Sequence, residues 1–229
     1  MKRRLSLLLV MALCSVAFLS SCAARLAEKD YIVVAYVTSW SRVMPDPAVM
    51  THINYAFGHV NDTFDGVRIS KPDRLRQIVA LKSENPDLKV MLSVGGWESG
   101  RFSEMASDSL CRLSFANDCL KAVEEFGLDG IDIDWEYPTS SAAGISSSPD
   151  DRENFNLLMR DLRSVLGEDC LLTIASSAYA EYIDFRSCID YLDFVPSETV
   201  QSYDDYGSWL VACDNTLFCL AKGFEGSDQ

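Results

Sequence analysis

The segment DGIDIDWEYP, residues 129–138, concentrates four carboxylates within eight residues. Three of them, Asp132, Asp134 and Glu136, are spaced by two, and apolar residues fill the gaps between them. Side chains alternate between the two faces of a β-strand, so this spacing predicts three acids on one face. Their burial is costly unless they share protons and hydrogen bonds. Such surroundings keep a carboxyl group protonated near neutral pH, which is what a general acid requires.

A calcium loop or a solvated edge strand would also account for a run of acidic residues. A calcium loop of the Dx[DN]x[DN]G type needs glycine at its sixth position, where this chain has Tyr137. An edge strand fits less well than a central strand because helical stretches precede and follow the segment. The pattern favours catalysis and leaves the edge strand open.

Composition narrows the possible partners. The 229 residues suffice for one domain with a sizeable core, or for part of a larger one. A net charge of −14 argues against nucleic acid, which needs a basic face. The chain has no CxxC pair and only two histidines, and we expect neither a metal nor a cofactor. Most cysteines are predicted to be small core residues, with Cys213–Cys219 the first candidate for a disulfide.

The first residues predict export. A basic start, KRR, precedes an apolar run over residues 5–19 that is too short for a comfortable membrane span. The run ends in LSSC, which resembles a bacterial lipoprotein signal in which Cys22 carries the lipid. Ordinary secretion with cleavage near Ala24 is the alternative. We expect a signal peptide at residues 1–21, a tether at residues 22–30, and an anchored protein facing the periplasm or the cell exterior.

From residue 31 the chain alternates β-rich runs with amphipathic helical stretches. Strands are predicted at residues 31–37, 52–60, 88–94, 128–135, 170–177 and 191–195. Helices are predicted at residues 71–85, 107–127 and 150–167. Ser107 or Asp108 is the expected cap of the second helix, and Gly127 is expected to end it. This order implies parallel strands joined by crossover helices, an α/β architecture. Periodicity alone does not separate a closed barrel from an open sheet. However, no GxGxxG or P-loop follows the first strand, which removes the usual reason to choose the open nucleotide-binding fold.

The segments to compare are DGIDIDWEYP (residues 129–138), MLSVGGW (91–97), THINYAFGHV (51–60) and VVAYVTSW (33–40). Together they resemble glycoside hydrolase family 18, the chitinases and related endo-β-N-acetylglucosaminidases. DGIDIDWEYP resembles the DxxDxDxE signature of that family, and MLSVGGW resembles its SxGG segment on the third strand. THINYAFGHV and VVAYVTSW resemble its second and first strands. The resemblance covers roughly residues 31–194. It implies a (β/α)₈ TIM barrel with its site at the carboxyl ends of the strands.

The resemblance also implies substrate-assisted, retaining hydrolysis of β-1,4-linked N-acetylglucosamine polymers or oligomers. Glu136 would act as general acid and then as base, Asp134 would orient the 2-acetamido group, and Asp132 would share a proton with Asp134. Candidates for contact with the sugar lie near strand ends: Trp97, Phe57, Tyr36, Tyr203 and Asp204. Structural roles are expected for Asp129, Gly95 and Gly96.

The resemblance weakens after residue 195. VQSYDDYG, residues 200–207, stands near the family's Met-x-Tyr-Asp-like stretch, with Gln201 in place of methionine. Pro196 lacks the N–H that a central strand donates. Residues 208–229 have room for one further strand but not for two βα units, so we expect a catalytic domain over residues 31–229 whose barrel is incomplete at its C-terminal end. An endo-β-N-acetylglucosaminidase acting on N-glycans, and a sugar-binding protein or inactive fragment, are the alternatives.

Overall fold

A computed structural model describes residues 32–175, together with the backbone of two strands at residues 201–203 and 208–213. One compact unit begins at Ile32 and contains all of these residues. The predicted signal peptide, Cys22, the tether, the strand at residues 191–195 and Asp204 lie outside the described residues and stay predictions. Within the described part of the chain, the helices are too short or too polar to cross a membrane.

The elements follow the predicted alternation of strand and helix. The strands are β1 (Ile32–Thr38), β2 (His52–Val60), β3 (Val67–Ile69), β4 (Lys89–Gly95), β5 (Gly130–Asp134), β6 (Leu171–Ile174), β7 (Gln201–Tyr203) and β8 (Ser208–Cys213). The helices are α1 (Pro72–Val79), α2 (Phe102–Ser107), α3 (Ser109–Phe126) and α4 (Asp151–Leu166), with a 3₁₀ turn at Ala80–Ser83. The five strands predicted before residue 178 are confirmed. The short elements β3 and α2 were not predicted.

The strands form one sheet in the order β6-β5-β4-β2-β1-β8-β7, with β3 attached to β2. Pairing is parallel from β1 through β2, β4 and β5 to β6, which confirms the predicted α/β architecture. β3 turns back antiparallel on β2, and β8 pairs antiparallel with β1. A closed (β/α)₈ barrel would place a parallel strand beside β1. β1, β2, β4, β5 and β6 therefore form the parallel part of a barrel, and the strands that the structure describes do not close it, consistent with the expected incomplete barrel.

The two faces of the sheet carry separate apolar clusters. Ile131, Ile133 and Trp135 join the larger cluster, which also contains the buried faces of the helices. The smaller cluster on the opposite face is built around Tyr36 and Met91. Asp132 contacts Tyr36 and thus lies on that second face. The predicted separation of acids and apolar residues along β5 is confirmed for the strand itself.

Helix α3 begins and ends where the sequence predicts. The Asp108 carboxylate accepts hydrogen bonds from the N–H groups of Leu110 and Cys111, at 2.8 and 3.0 Å. Gly127 ends the helix with φ +68°, a left-handed conformation that glycine adopts without steric cost. The carboxylate cap and the glycine stop fix the crossover between β4 and β5.

Three cysteines within the described residues, Cys111, Cys119 and Cys170, are free thiols. Cys119 and Cys170 are buried, as predicted, and Cys111 is half-buried. The pKa of the Cys119 thiol is raised by burial, so this side chain behaves as a small apolar group. The predicted bridge Cys213–Cys219 extends beyond the described residues.

Asp129 lies at the amino end of β5, away from the other acids. Its Oδ2 accepts hydrogen bonds from Lys82 Nζ at 2.7 Å and from the N–H of Val90 at 2.8 Å. The main-chain N–H of Asp129 donates to Val90 O, and its carbonyl accepts from the N–H of Leu171. These contacts tie β5 to both neighbouring strands at the end opposite the acidic residues.

Candidate active site

The carboxylates at the end of β5 differ in depth. Asp132 is 0% exposed and Asp134 is 6% exposed. Glu136, two residues beyond the end of the strand, is half-buried. Exposure thus rises from Asp132 through Asp134 to Glu136, so the acids become more accessible towards the carboxyl end of the strand. A reachable carboxyl group beside enclosed ones is an arrangement suited to acid–base chemistry.

Three hydroxyl groups surround the Asp132 carboxylate. Tyr36 Oη and Ser93 Oγ donate to its Oδ2, each at 2.9 Å, and Thr173 Oγ1 donates to its Oδ1 at 2.6 Å. Burial raises the pKa of Asp132, and the hydroxyl groups lower it. The spacing of the acids predicts that a neighbouring charge raises a pKa in this cluster, whereas burial is the main cause at Asp132.

The hydroxyl partners come from the register of the parallel strands. Ser93 on β4 and Thr173 on β6 are the residues directly opposite Asp132 in the sheet. The same row continues across β2 to the buried Thr38 on β1. Sequence reasoning missed Ser93 and Thr173 as site residues. A usable signal exists, because each is a single polar residue inside an apolar run, MLSV or LLTI.

Tyr36 and Asn54 form the layer below this row. Tyr36 is 5% exposed, and its pKa is raised well above its usual range by burial and then by the charges of Asp132 and Asp134. Asn54, its partner in register, is fully buried and lowers the pKa of both Tyr36 and Asp132. The Asn54 amide lies near both groups but outside strict hydrogen-bond geometry. The structure shows Tyr36 as a partner of Asp132, and its contact with a sugar stays a prediction.

The glycine pair at the end of β4 allows main-chain segments to meet. Gly95 lies opposite Asp134, and a Cβ on Gly95 would be 1.9 Å from the Asp134 carbonyl oxygen. The N–H of Gly96 donates to that same oxygen at 2.9 Å. A Cβ on Gly96 would be 2.8 Å from the Phe57 ring. Both glycines therefore hold the end of β4 against β5 and against the end of β2.

Aromatic side chains stand near these strand ends. Trp97, after β4, is 57% exposed, and Trp40, after β1, is 60% exposed. The half-buried Phe57 ring lies 6.4 Å from the Trp40 ring, centroid to centroid. Trp40 was missed by sequence reasoning, although it ends the quoted segment VVAYVTSW. Tyr203 ends β7, of which the structure describes only the backbone.

Behind the acids, Trp135 anchors β5 to the helices. Its side chain is 2% exposed and stacks on Phe102 of α2, with ring centroids 5.3 Å apart. Phe155 of α4 meets it edge-on at 6.0 Å. Because Trp135 lies between Asp134 and Glu136, this packing fixes the main chain that carries both acids.

The loop after Glu136 is held by a buried carboxylate. Asp151, at the start of α4, is 0% exposed. It accepts hydrogen bonds from Ser103 Oγ at 2.7 Å and from the N–H groups of Thr139 and Ser148, at 3.2 and 2.7 Å. The loop thus leaves Glu136 along a defined path. Among the residues that the structure describes, the site included, no cluster of three or more acidic, histidine or cysteine side chains is arranged to hold a metal.

Comparison with known proteins supports one family. The model of the family "Glycosyl hydrolases family 18" matches residues 32–216. Probable chitinase 2 of Drosophila melanogaster is 32% identical over 234 residues, covering 90% of this chain and 47% of the fly protein. Chitinase A1 of Niallia circulans is 30% identical over 246 residues, covering 80% of this chain and 35% of that protein. The chain spans less than half the length of these two relatives.

Solved structures match the chain, as its sequence relatives do. The chitinase domain of the spore coat protein CotE from Clostridium difficile matches with a TM-score of 0.70 and 34% identity, covering 79% of this chain and 55% of that one. A glycoside hydrolase family 18 N-acetylglucosaminidase from Paenibacillus barengoltzii matches with a TM-score of 0.69 and 42% identity, covering 74% of this chain and 53% of that one. Since the family model also covers most of the sequence, the chain belongs to glycosyl hydrolase family 18.

Proposed function

We propose that the chain hydrolyses β-1,4-linked N-acetylglucosamine polymers or oligomers of the chitin type, with Glu136 as general acid and base. The observation that carries the proposal is the graded burial along β5 and the residues that follow it, from the enclosed Asp132 to the half-buried Glu136. Relatives named chitinases, at 32% and 30% identity, support the substrate class.

In the first step Glu136, as the carboxylic acid, donates its proton to the glycosidic oxygen. The bond between that oxygen and the anomeric carbon breaks as the substrate's own acetamido oxygen attacks the same carbon. A cyclic oxazolinium ion and a free leaving sugar result, and Glu136 is left as a carboxylate. This family is an exception to hydrolysis by two carboxylates with an enzyme nucleophile.

In the second step the Glu136 carboxylate takes a proton from water. The water oxygen attacks the anomeric carbon, the bond to the acetamido oxygen breaks, and the sugar regains its amide. Two displacements at one carbon retain its configuration. Asp134 would orient the acetamido group and offset the positive charge on the cyclic ion.

Asp132 would support Asp134 from within the sheet. Burial raises its pKa, so it holds a proton more readily than an exposed aspartate. A proton shared between the two aspartates allows Asp134 to respond as charge develops on the acetamido group. The hydroxyls of Tyr36, Ser93 and Thr173 keep the Asp132 carboxyl in place.

A second candidate is removal of single N-acetylglucosamine units from oligomer ends. It is favoured by the 42% identity with a family 18 N-acetylglucosaminidase, which is above the values for the two chitinases. Both candidates use the same chemistry at Glu136 and differ in which bond of the oligomer is placed there. Product size from a defined oligomer separates them.

The test compares the parent chain with Glu136→Gln on a fluorogenic chitooligosaccharide. Glutamine keeps the shape of the side chain but has no acidic proton, so kcat is expected to fall by about 10²-fold or more. Binding of the intact oligomer, measured by calorimetry, is expected to remain. The exposed Glu84, substituted by Gln, serves as the matched control with parent activity.

Equal rates for the parent and Glu136→Gln would remove Glu136 from its role. A folded parent that cleaves neither chitooligosaccharides nor N-glycans would exclude an enzyme and favour a sugar-binding protein. Cleavage of N-glycans alone would replace chitin as the substrate by glycoprotein glycans.

A further inference from the structure

Trp97 stands on a tight turn immediately after β4. The N–H of Ser99 donates to Gly96 O at 3.0 Å and closes this turn. Glu98 within it has φ +64°, a left-handed conformation that non-glycine residues adopt at a cost. The Trp97 ring is 57% exposed, so its own packing contributes little to holding the turn. Other contacts must stabilise it.

The end of β2 supplies those contacts. His59 Nδ1 lies 2.9 Å from Ser99 Oγ, a hydrogen bond between residues 40 positions apart in sequence. Phe57, two residues earlier, presses its ring against Gly96, where a Cβ would be 2.8 Å away. One strand end thus holds both the first and the last residue of the turn that carries Trp97.

A second contact, between the loop that carries Trp97 and the residues that follow β2, is weaker. Arg101 pairs with Asp62 at 2.7 Å, but their side chains are 42% and 83% exposed. Exposed ion pairs contribute little because water screens the charges and both side chains lose freedom. His59 and Ser99 are each half-buried, so their hydrogen bond is better shielded from competing water.

The charge state of His59 suits this bond. Burial lowers the pKa of His59, and the positive charges of Arg68 and Arg101 lower it further. The imidazole is therefore neutral near neutral pH, with one nitrogen as donor and the other as acceptor. The Ser99 hydroxyl can pair with Nδ1 in either role.

We propose that His59 is a positioning residue for the glycan site, which acts through Ser99 to hold the turn that presents Trp97. Because β4 and β5 are parallel and Gly95 lies opposite Asp134, Trp97 and Glu136 follow neighbouring strand ends. The inference rests on the proposed function for its ligand. The hydrogen bond between His59 and Ser99 has no part in proton transfer. Its loss should therefore weaken glycan binding and leave the chemical step unchanged.

The test measures hydrolysis and binding of a chitooligosaccharide by the full chain and its variants. Ser99→Ala and His59→Ala are each expected to raise KM roughly two- to tenfold, the value of one hydrogen bond. The change in kcat is expected to stay within about twofold. His59→Gln, whose amide can still bond the hydroxyl, should recover most of the affinity.

The KM of the double variant His59→Ala/Ser99→Ala should be no higher than that of the more affected single variant, since both substitutions remove the same hydrogen bond. Ser83→Ala is the matched control. It removes a hydroxyl that donates to Ala80 O at 2.7 Å, beside Lys82 and therefore at the opposite end of the sheet.

A second readout does not depend on turnover. In chains labelled with fluorotryptophan, the ¹⁹F resonance of Trp97, identified by Trp97→Phe, should shift or broaden in Ser99→Ala and stay unchanged in Ser83→Ala. An unchanged Trp97 resonance together with an unchanged KM in folded Ser99→Ala overturns the positioning role. If the parent binds no chitooligosaccharide, the proposed function fails, and the Trp97 resonance alone decides whether His59 and Ser99 hold the turn.

Discussion

Asp132 is the most buried of the acids on β5, and neighbouring strands supply hydrogen-bond donors to its carboxylate. Its charged form would be costly in an apolar interior, and three hydroxyl groups offset part of that cost. The shortest of these hydrogen bonds, 2.6 Å, comes from Thr173. The balance between burial and hydroxyl donors therefore sets how readily Asp132 holds a proton.

Replacing Thr173 by valine should raise the pKa of Asp132 further, since a hydrogen bond that favours the charged form is lost. Titration of the aspartate carboxyl by ¹³C NMR measures this directly. Thr173→Ser keeps the hydroxyl and should leave the pKa near its parent value. An equal shift in both variants would show that the methyl group, and not the hydrogen bond, controls the carboxyl.

The sequence predicts the positions of the acidic side chains better than it predicts the hydroxyl groups that bond to them. Alternation along one strand is enough to place Asp132 and Asp134 on a common face. The hydroxyls of Ser93 and Thr173 reach Asp132 only through the register between strands. Register depends on pairing between distant segments, which the pattern of a single strand does not contain.

At the scale of elements, the end of β4 is defined by how closely two main chains approach. Gly95 has φ +135° and leaves no room for a side chain against the Asp134 carbonyl. The strand end that carries Asp134 therefore keeps its position only while residue 95 is glycine.

Gly95→Ala is expected to lower the free energy of unfolding by about 3 kcal/mol or more, because the strand ends must separate. Gly144→Ala is the matched control, since Gly144 also has a positive φ but faces open space. That variant should lose only about 1 kcal/mol. Urea denaturation measures both. Equal losses would show that backbone conformation alone explains the effect.

Element prediction succeeded where patterns are long. Helix α3 has a carboxylate cap and a glycine stop, and both were visible in the sequence. β3 spans three residues and α2 spans six, which is too short for periodicity to reveal them. The antiparallel direction of β8 against β1 also escaped prediction, because apolar content does not encode strand direction.

At the scale of the whole molecule, stability depends on an ionisable group at the end of the sheet opposite Glu136, where the Asp129 charge partly offsets the causes that lower its pKa. His52, at the start of β2, has its pKa lowered to about 4 by burial and by the charge of Lys89. In the unfolded chain the same imidazole has a pKa near 6.5. Between these values the unfolded chain binds more protons, so protonation favours unfolding.

The free energy of unfolding should therefore be fully present above pH 6.5 and decline as the pH falls towards 4, by on the order of 2 kcal/mol from His52. Denaturant titrations at pH 7 and pH 5 measure the slope. His52→Gln removes this titrating group and should reduce the slope, leaving the part that comes from His59, whose pKa is also lowered. A variant with the parent's slope would assign the dependence to other groups.

The position of Trp135 has a consequence for how such a protein can change over generations. Trp135, whose ring packs between Phe102 and Phe155, is the direct sequence neighbour of Asp134 and of Glu136. A substitution at Trp135, Phe102 or Phe155 is therefore expected to move the backbone that carries Asp134 and Glu136. Amino acids in that aromatic cluster should covary among relatives, because selection on the reaction also acts on residues that never meet a sugar.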